Sequence, residues 1–237
     1  MSDVTVIPSS SPLAIPSARR GGIARRSKAA ARRLINTAIE RYLRIDTTPL
    51  ASAPARGSAA HDDSIPYEPL DYPFLLRTLS RLAPREDDVV YEIGCGMGRV
   101  LCLLARRRFR RCVGIELCGE LADRARANVS TVRGLRTPVE VLTADAALAD
   151  YADGTAFFMF HPFGPRTMEA TIARIHASVL LRPRPIRIMY VNPFHENVLE
   201  ASGWLRCTDR LKSRCFNTFA SYWVSHGQSD ARGTHAS

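Results

Sequence analysis

VVYEIGCGMGRVLCLLA, residues 89–105, joins an apolar run to a helical apolar stripe through three glycines at 94, 96 and 98. The run Val89-Val90-Tyr91-Glu92-Ile93 reads as a buried strand, and Val100 to Ala105 as the start of a helix. The chain between them must turn sharply and let another group approach its backbone. Glycine permits both, because it lacks Cβ and tolerates positive φ. The helix that follows opens with unpaired N–H groups, which suit a carboxylate or phosphate. A dinucleotide fingerprint, G-x-G-x-x-G, would need its third glycine at 99, where the sequence has Arg99, so the spacing disfavours a nicotinamide cofactor.

The observed G-x-G-x-G, preceded by Glu92, resembles the first motif of the class I S-adenosylmethionine-dependent methyltransferases. Two further segments carry the same resemblance. Glu116 ends a second apolar strand, CVGIE, 22 residues after Gly94, and LTADA at 141–145 ends a third. The carboxyl ends of adjacent parallel strands form the crevice in which such folds bind ligands, and an acid there can accept hydrogen bonds from both hydroxyls of a ribose. The resemblance implies S-adenosyl-L-methionine as cofactor. Gly94, Gly96 and Gly98 would shape its loop, Glu116 would hold the ribose, and Asp145 with Ala146 would meet the adenine. Glu92 would lie near the methionine moiety, where a carboxylate favours the cofactor's positive charge. Asp145 is also placed to cap the next turn.

Outward from this core, helix and strand patterns alternate. A helix is expected near 70–82, strands at 89–93, 112–116, 139–143, 155–161 and 186–191, and helices at 98–108, 118–129, 166–180 and 195–202. Continuous apolar strands separated by helices imply a parallel sheet covered on both faces. Two last strands, 204–211 and 215–224, have no room for a crossover helix between them and should pair antiparallel. The expected fold class is therefore α/β, a Rossmann-like, mostly parallel seven-stranded sheet with an antiparallel last strand and helices on both faces.

Two Pro-Phe loops should open on the same carboxyl edge. FFMFHPFGPRTM, 157–168, follows the fourth strand, where many amino-group methyltransferases carry an Asn/Asp-Pro-Pro-aromatic motif. This sequence departs from that motif with His161-Pro162-Phe163-Gly164. Histidine can act as base or hydrogen-bond partner where asparagine only orients, so His161 is the candidate catalytic group and Phe163 can flank a planar substrate. After the fifth strand, Val191-Asn192-Pro193-Phe194-His195 offers Asn192 as a second catalytic candidate and His195 as a substrate-facing one; Asn192 is equally suited to cap the next helix. Tyr67, ahead of the first domain helix, resembles an aromatic that often covers the cofactor in this superfamily. Cys95, inside the glycine loop, is read as packing rather than nucleophilic.

The chain has 237 residues, 46% hydrophobic and 24% charged, with a net charge of +10. That composition excludes collagenous, wholly disordered and membrane-spanning chains, and no run of eighteen apolar residues exists. Residues 1–60 hold ten Lys and Arg against Asp3, Glu40 and Asp46, and Tyr42 is their only aromatic. They read as a basic arm with one amphipathic helix over 18–45, its stripe Leu34, Ile35, Ala38, Ile39, Tyr42 and Leu43, followed by a linker over 46–64. The stripe either packs on the domain or leaves the arm free for nucleic acid or an acidic partner; an Arg-rich start is also shared with organelle transit peptides. The catalytic domain is expected over 61–226 and a disordered tail over 227–237. Six cysteines without CxxC spacing suit a reduced, cytoplasmic protein without a metal cluster. A distant similarity to nucleosome-directed histone lysine methyltransferases rests on fold and cofactor alone. The leading expectation is methyl transfer to an unidentified protein, RNA or small-molecule acceptor. The alternative is a non-catalytic platform on the same fold, with a basic nucleic-acid- or protein-binding arm.

Overall fold

The computed structural model describes residues 18–49, 63–213 and 218–226; expectations for 1–17, 50–62, 214–217 and 227–237 fall outside them. The elements in chain order are α1 (Ala18–Leu43), α2 (Tyr72–Leu82), β1 (Val89–Ile93), α3 (Arg99–Leu104), β2 (Arg111–Glu116), α4 (Gly119–Thr131), β3 (Val139–Thr143), β4 (Ala156–Phe160), α5 (Pro165–Leu181), β5 (Arg187–Val191), α6 (Glu196–Ala201), β6 (Leu205–Lys212) and β7 (Phe219–Ser225).

The seven strands form one sheet in the order β3-β2-β1-β4-β5-β7-β6. β1 to β5 run parallel, and β7 is antiparallel to both of its neighbours. Every residue of β1 and β5 is buried, the charged Glu92 and Arg187 included, as in strands covered on both faces. β3 and β6, at the two edges, are only partly buried and carry the polar residues. Alternation splits the core in two. Val90 packs with α2, α3 and α4 on one face, while Val89, Tyr91 and Ile93 pack with α5 and α6 on the other. Glu92 follows Val90's parity and points to the α3 face.

Two differences from the sequence reading have local causes. α3 ends at Leu104 rather than near 108, because Arg106 to Arg108 and Phe109 turn back into β2. β6 runs on to Lys212 rather than stopping at 211, and β7 as described starts at Phe219. The arm differs more. Leu43, Ile45 and Thr47 are buried, and Asn128 of α4 grips the segment, accepting from the Asp46 amide at 2.9 Å and donating to the Asp46 carbonyl at 2.8 Å. Residues 43–47, read partly as linker, are thus built into the domain. Of the apolar stripe, Leu43 is buried and Ile39 packs against the core, whereas Leu34 and Ile35, farther back along α1, and Tyr42, next to Leu43 but on another face of the helix, are exposed.

Candidate functional site

The parallel strands end together at Ile93, Glu116, Thr143 and Phe160, and the strand order reverses between β1 and β4, the place where open α/β sheets bind ligands. A cleft lies there, with about 870 Å³ of atom-free space including its open side. Gly94, Glu116, Cys118, Asp145, Ala146, His161, Phe163 and Tyr67 all line it. Gly96 and Gly98 shape the loop beside it without lining it.

All three loop glycines adopt positive φ: 72° at Gly94, 53° at Gly96 and 79° at Gly98. The space beside two of them is already taken. A Cβ on Gly94 would lie 2.5 Å from Pro162 Cβ, and one on Gly96 would lie 2.4 Å from the Tyr67 ring. The glycine loop is therefore clamped between the loop after β4 and the aromatic ahead of α2, and a side chain at either position would push the clamp apart.

Glu116 is the hinge of this arrangement. Its Oε2 accepts from the Gly96 amide at 2.8 Å and its Oε1 from the Cys118 amide at 2.9 Å. Burial pushes its carboxyl above the usual range, while the amides of Cys118, Gly96 and Leu117 pull it back. The carboxylate still has accepting capacity for a ligand donor. Asp145 Oδ1 accepts from the Ala147 amide at 2.8 Å, the turn cap that its position suggested, and Tyr151 donates to the Ala146 carbonyl at 2.8 Å. Both Asp145 and Ala146 remain at the cleft wall.

Glu92 sits apart from these residues. It does not line the cleft; it is buried beneath the loop, 4% exposed, and its Oε2 accepts from the Leu101 amide at 2.9 Å, satisfying one of the open N–H groups of α3. Strand parity, which sends its side chain under α3, is the cause. Burial drives its carboxyl well above the usual range, and the nearby Glu116 adds to the effect.

His161 lines the cleft with φ of +39°, and Asn192 adopts +47° at the corresponding place after β5. These unfavourable backbones for non-glycine residues turn both loops at the same step off the sheet. The loops meet. The His161 ring centroid lies 4.4 Å from that of Phe194 and 5.5 Å from that of His195. Its Nδ1 is buried and has no protein partner; burial, with His195 adding to it, lowers its pKa below 6.5. Asn192 stands apart, lining a neighbouring cavity with Phe194, Glu196 and Arg210, and its backbone amide is spent on the Phe219 carbonyl.

Sequence reasoning missed the strap that closes one side of the cleft. Ser64 bridges Phe163, and Asp63 accepts from the Thr167 amide at 3.0 Å and from its hydroxyl at 2.6 Å, capping α5. Further on, Tyr67 covers Gly96 and donates to the Thr47 carbonyl at 3.1 Å. Arg99, where a dinucleotide fold would need glycine, is 6% exposed and ties three segments together. It donates to Thr47 Oγ1 at 2.7 Å, to the Leu70 carbonyl at 2.7 Å and to Glu40 Oε1 at 2.9 Å. A lone arginine at the missing glycine was the one signal available for this knot.

Residues 90–182 match a family described as a methyltransferase domain. A protein-lysine N-methyltransferase from Saccharolobus islandicus (strain REY15A) is 28% identical over 97 residues, which cover 40% of this chain and 60% of that protein; the match thus spans under two thirds of that relative. Among solved structures, an RNA methyltransferase from Salinibacter ruber, in complex with S-adenosyl-L-homocysteine, superposes with a TM-score of 0.51 at 20% identity, over 69% of this chain and 97% of that one. The precorrin 8w decarboxylase from Methanobacterium thermoautotrophicum gives 0.50 at 19% identity, over 67% and 92%. At such identities the structural likeness establishes the fold.

Proposed function

We propose that this chain, whose residues 90–182 match a methyltransferase domain, is a class I S-adenosylmethionine-dependent enzyme that transfers a methyl group to an acceptor brought to the His161 side of the cleft. The observation that carries this reading is the meeting of the glycine loop, Glu116 and Asp145 in one cleft at the carboxyl edge of β1, β2 and β3. The residues fit the cofactor. Gly94 and Gly96 leave no room for side chains where the loop is clamped, and two carboxylates face the space that a nucleoside needs. Glu116 would hold the ribose hydroxyls, Asp145 and Ala146 the adenine, and Glu92 would oppose the positive charge from beneath the loop.

When bound, the cofactor supplies an electrophilic methyl carbon. The chain's own work is placement and exclusion of water. Phe163, Tyr67 and the Asp63–Glu68 strap wall the cleft. His161, neutral at neutral pH because burial lowers its pKa, takes the proton that the acceptor sheds, and His195 and Phe194 hold that ring in place. Asn192 orients the second loop rather than touching the acceptor. Protein-lysine and RNA acceptors enter from the relatives' descriptions, beside a small-molecule acceptor. No helix among the described residues is long and apolar enough to cross a membrane; with Cys95, Cys102, Cys112, Cys118 and Cys207 free, we assign the chain to the cytoplasm.

A fractionated screen with labelled methyl donor, run on protein, RNA and metabolite pools, tests the activity. A product formed by the wild type and lost in His161→Ala, with cofactor binding retained, is expected. Cofactor binding without product in any pool would favour the non-catalytic platform.

A further inference from the structure

Away from the cleft, the N-terminal ends of β2 and β3 carry a cluster of arginines that the methyl-transfer reading does not use. The loop α3–β2 supplies Arg106, Arg108 and Arg110, the loop α4–β3 supplies Arg133 and Arg136, and the end of α1 supplies Arg44. Hydrogen bonds hold the three segments against one another. The Arg133 amide donates to the Leu43 carbonyl at 2.8 Å, the Arg136 amide to the Ala105 carbonyl at 2.7 Å, and the Thr131 hydroxyl to the Arg44 carbonyl at 2.9 Å. At the centre stands Tyr42, 52% exposed, with the guanidinium carbons of Arg133 and Arg106 at 5.0 and 5.3 Å from its ring centroid.

Other arginines nearby are already committed. Arg111 pairs with Glu140 and Asp153, Arg99 with Glu40, and Arg107 with the Leu79 carbonyl. Among the described residues no carboxylate pairs with Arg44, Arg106, Arg133 or Arg136. Arg44, Arg133 and Arg136 are exposed, as are Arg108 and Arg110. A guanidinium stacked on an aromatic ring keeps its N–H edge available, and that planar fork matches phosphate oxygens. The last turns of α1 add the exposed Arg33 and Arg41.

We propose that this surface docks single-stranded RNA. The exposed Arg44, Arg108, Arg110, Arg133 and Arg136, spread over three segments, suit the repeating phosphates of a nucleic-acid strand better than a single carboxylate. The half-exposed Tyr42 ring and its flanking guanidinium planes offer stacking faces, which only unpaired bases can use. The surface lies at the end of the sheet opposite the cleft, so it anchors the strand and leaves the acceptor site open. The inference goes beyond the methyl-transfer reading and does not depend on it.

Fluorescence anisotropy of the full chain with a labelled 20-nucleotide single-stranded RNA, titrated at several salt concentrations, tests it. The variant Arg106→Gln/Arg133→Gln/Arg136→Gln should bind at least tenfold more weakly. Its log–log salt slope should be smaller by about 2, as expected for three lost phosphate contacts on a single strand. Tyr42→Ala should weaken single-stranded RNA while leaving duplex DNA of the same length unchanged. Calorimetry of the triple variant with S-adenosyl-L-homocysteine should match wild type, which shows the cleft intact whether or not RNA binds. No RNA binding by the wild type at low salt, or wild-type affinity in the triple variant, would overturn the proposal. So would equal or tighter binding of polyglutamate or of the duplex.

Discussion

Replacing Arg99 by Met should destabilise the domain more than any single change at its surface. The guanidinium is 7% exposed and the Glu40 carboxylate 12%, so removing one partner strands a buried charge. It also strips the Leu70 carbonyl of its donor and removes the Arg99 bond to the Thr47 hydroxyl. Breaking a buried pair from one side costs about 3–5 kcal/mol, which with a urea slope of about 2 kcal/mol per molar lowers the unfolding midpoint by roughly 2 M. The double variant Arg99→Met/Glu40→Leu removes the stranded charge as well, so it should be markedly more stable than Arg99→Met alone. Urea unfolding of the wild type, the two single variants and the double variant, followed by circular dichroism, closes the cycle. Additive effects, or a midpoint for Arg99→Met within about 0.3 M of wild type, would refute the idea that the arm is fastened to the glycine loop through this pair.

Gly96→Ala places a Cβ 2.4 Å from the Tyr67 ring at a φ of 53°; a stability loss of about 1–3 kcal/mol is expected, together with weaker cofactor binding, as read by unfolding and calorimetry. Glu92→Gln keeps an acceptor for the Leu101 amide and cannot ionise. Because burial raises this carboxyl's pKa, the wild type loses stability as pH rises above 4.5. The variant should therefore gain stability at neutral pH, the gain shrinking toward pH 4.5, while its affinity for the positively charged donor falls relative to that for S-adenosyl-L-homocysteine. His161 has its pKa lowered in the fold, so the stability it contributes is present above the ordinary value of 6.5 and is lost as pH drops below it. His161→Asn should flatten that acid-side decline in an unfolding series run from neutral to mildly acidic pH.

The parts of the site that were legible in the sequence are those set by local geometry. Three glycines between a strand and a helix required positive φ, and Gly94, Gly96 and Gly98 adopt it. A charged residue closing an apolar strand had to emerge at the carboxyl edge, where Glu116 lies. For Glu92, its neighbours in sequence set its distance from the loop, while strand parity, which the motif does not encode, sent its side chain under α3. The knot of Arg99, Glu40 and Thr47 joins residues 52 and 59 positions apart, and Asp63 caps α5 from 104 residues away; no periodicity encodes such pairings. The apolar stripe of α1 was visible, but how far the domain reaches along it depends on where the chain folds back at Arg44 and Ile45.

Titration calorimetry of the purified full chain with S-adenosyl-L-methionine and S-adenosyl-L-homocysteine, beside Glu116→Gln, probes the cleft directly. The substituted amide side chain can still accept one backbone N–H but turns its own NH₂ toward the other and carries no charge. Affinity for both compounds should therefore fall about tenfold or more from a wild-type Kd in the micromolar range. A folded wild type that takes up neither compound, or a Glu116→Gln variant that binds both as tightly as wild type, would contradict a nucleoside-holding role for this edge of the sheet.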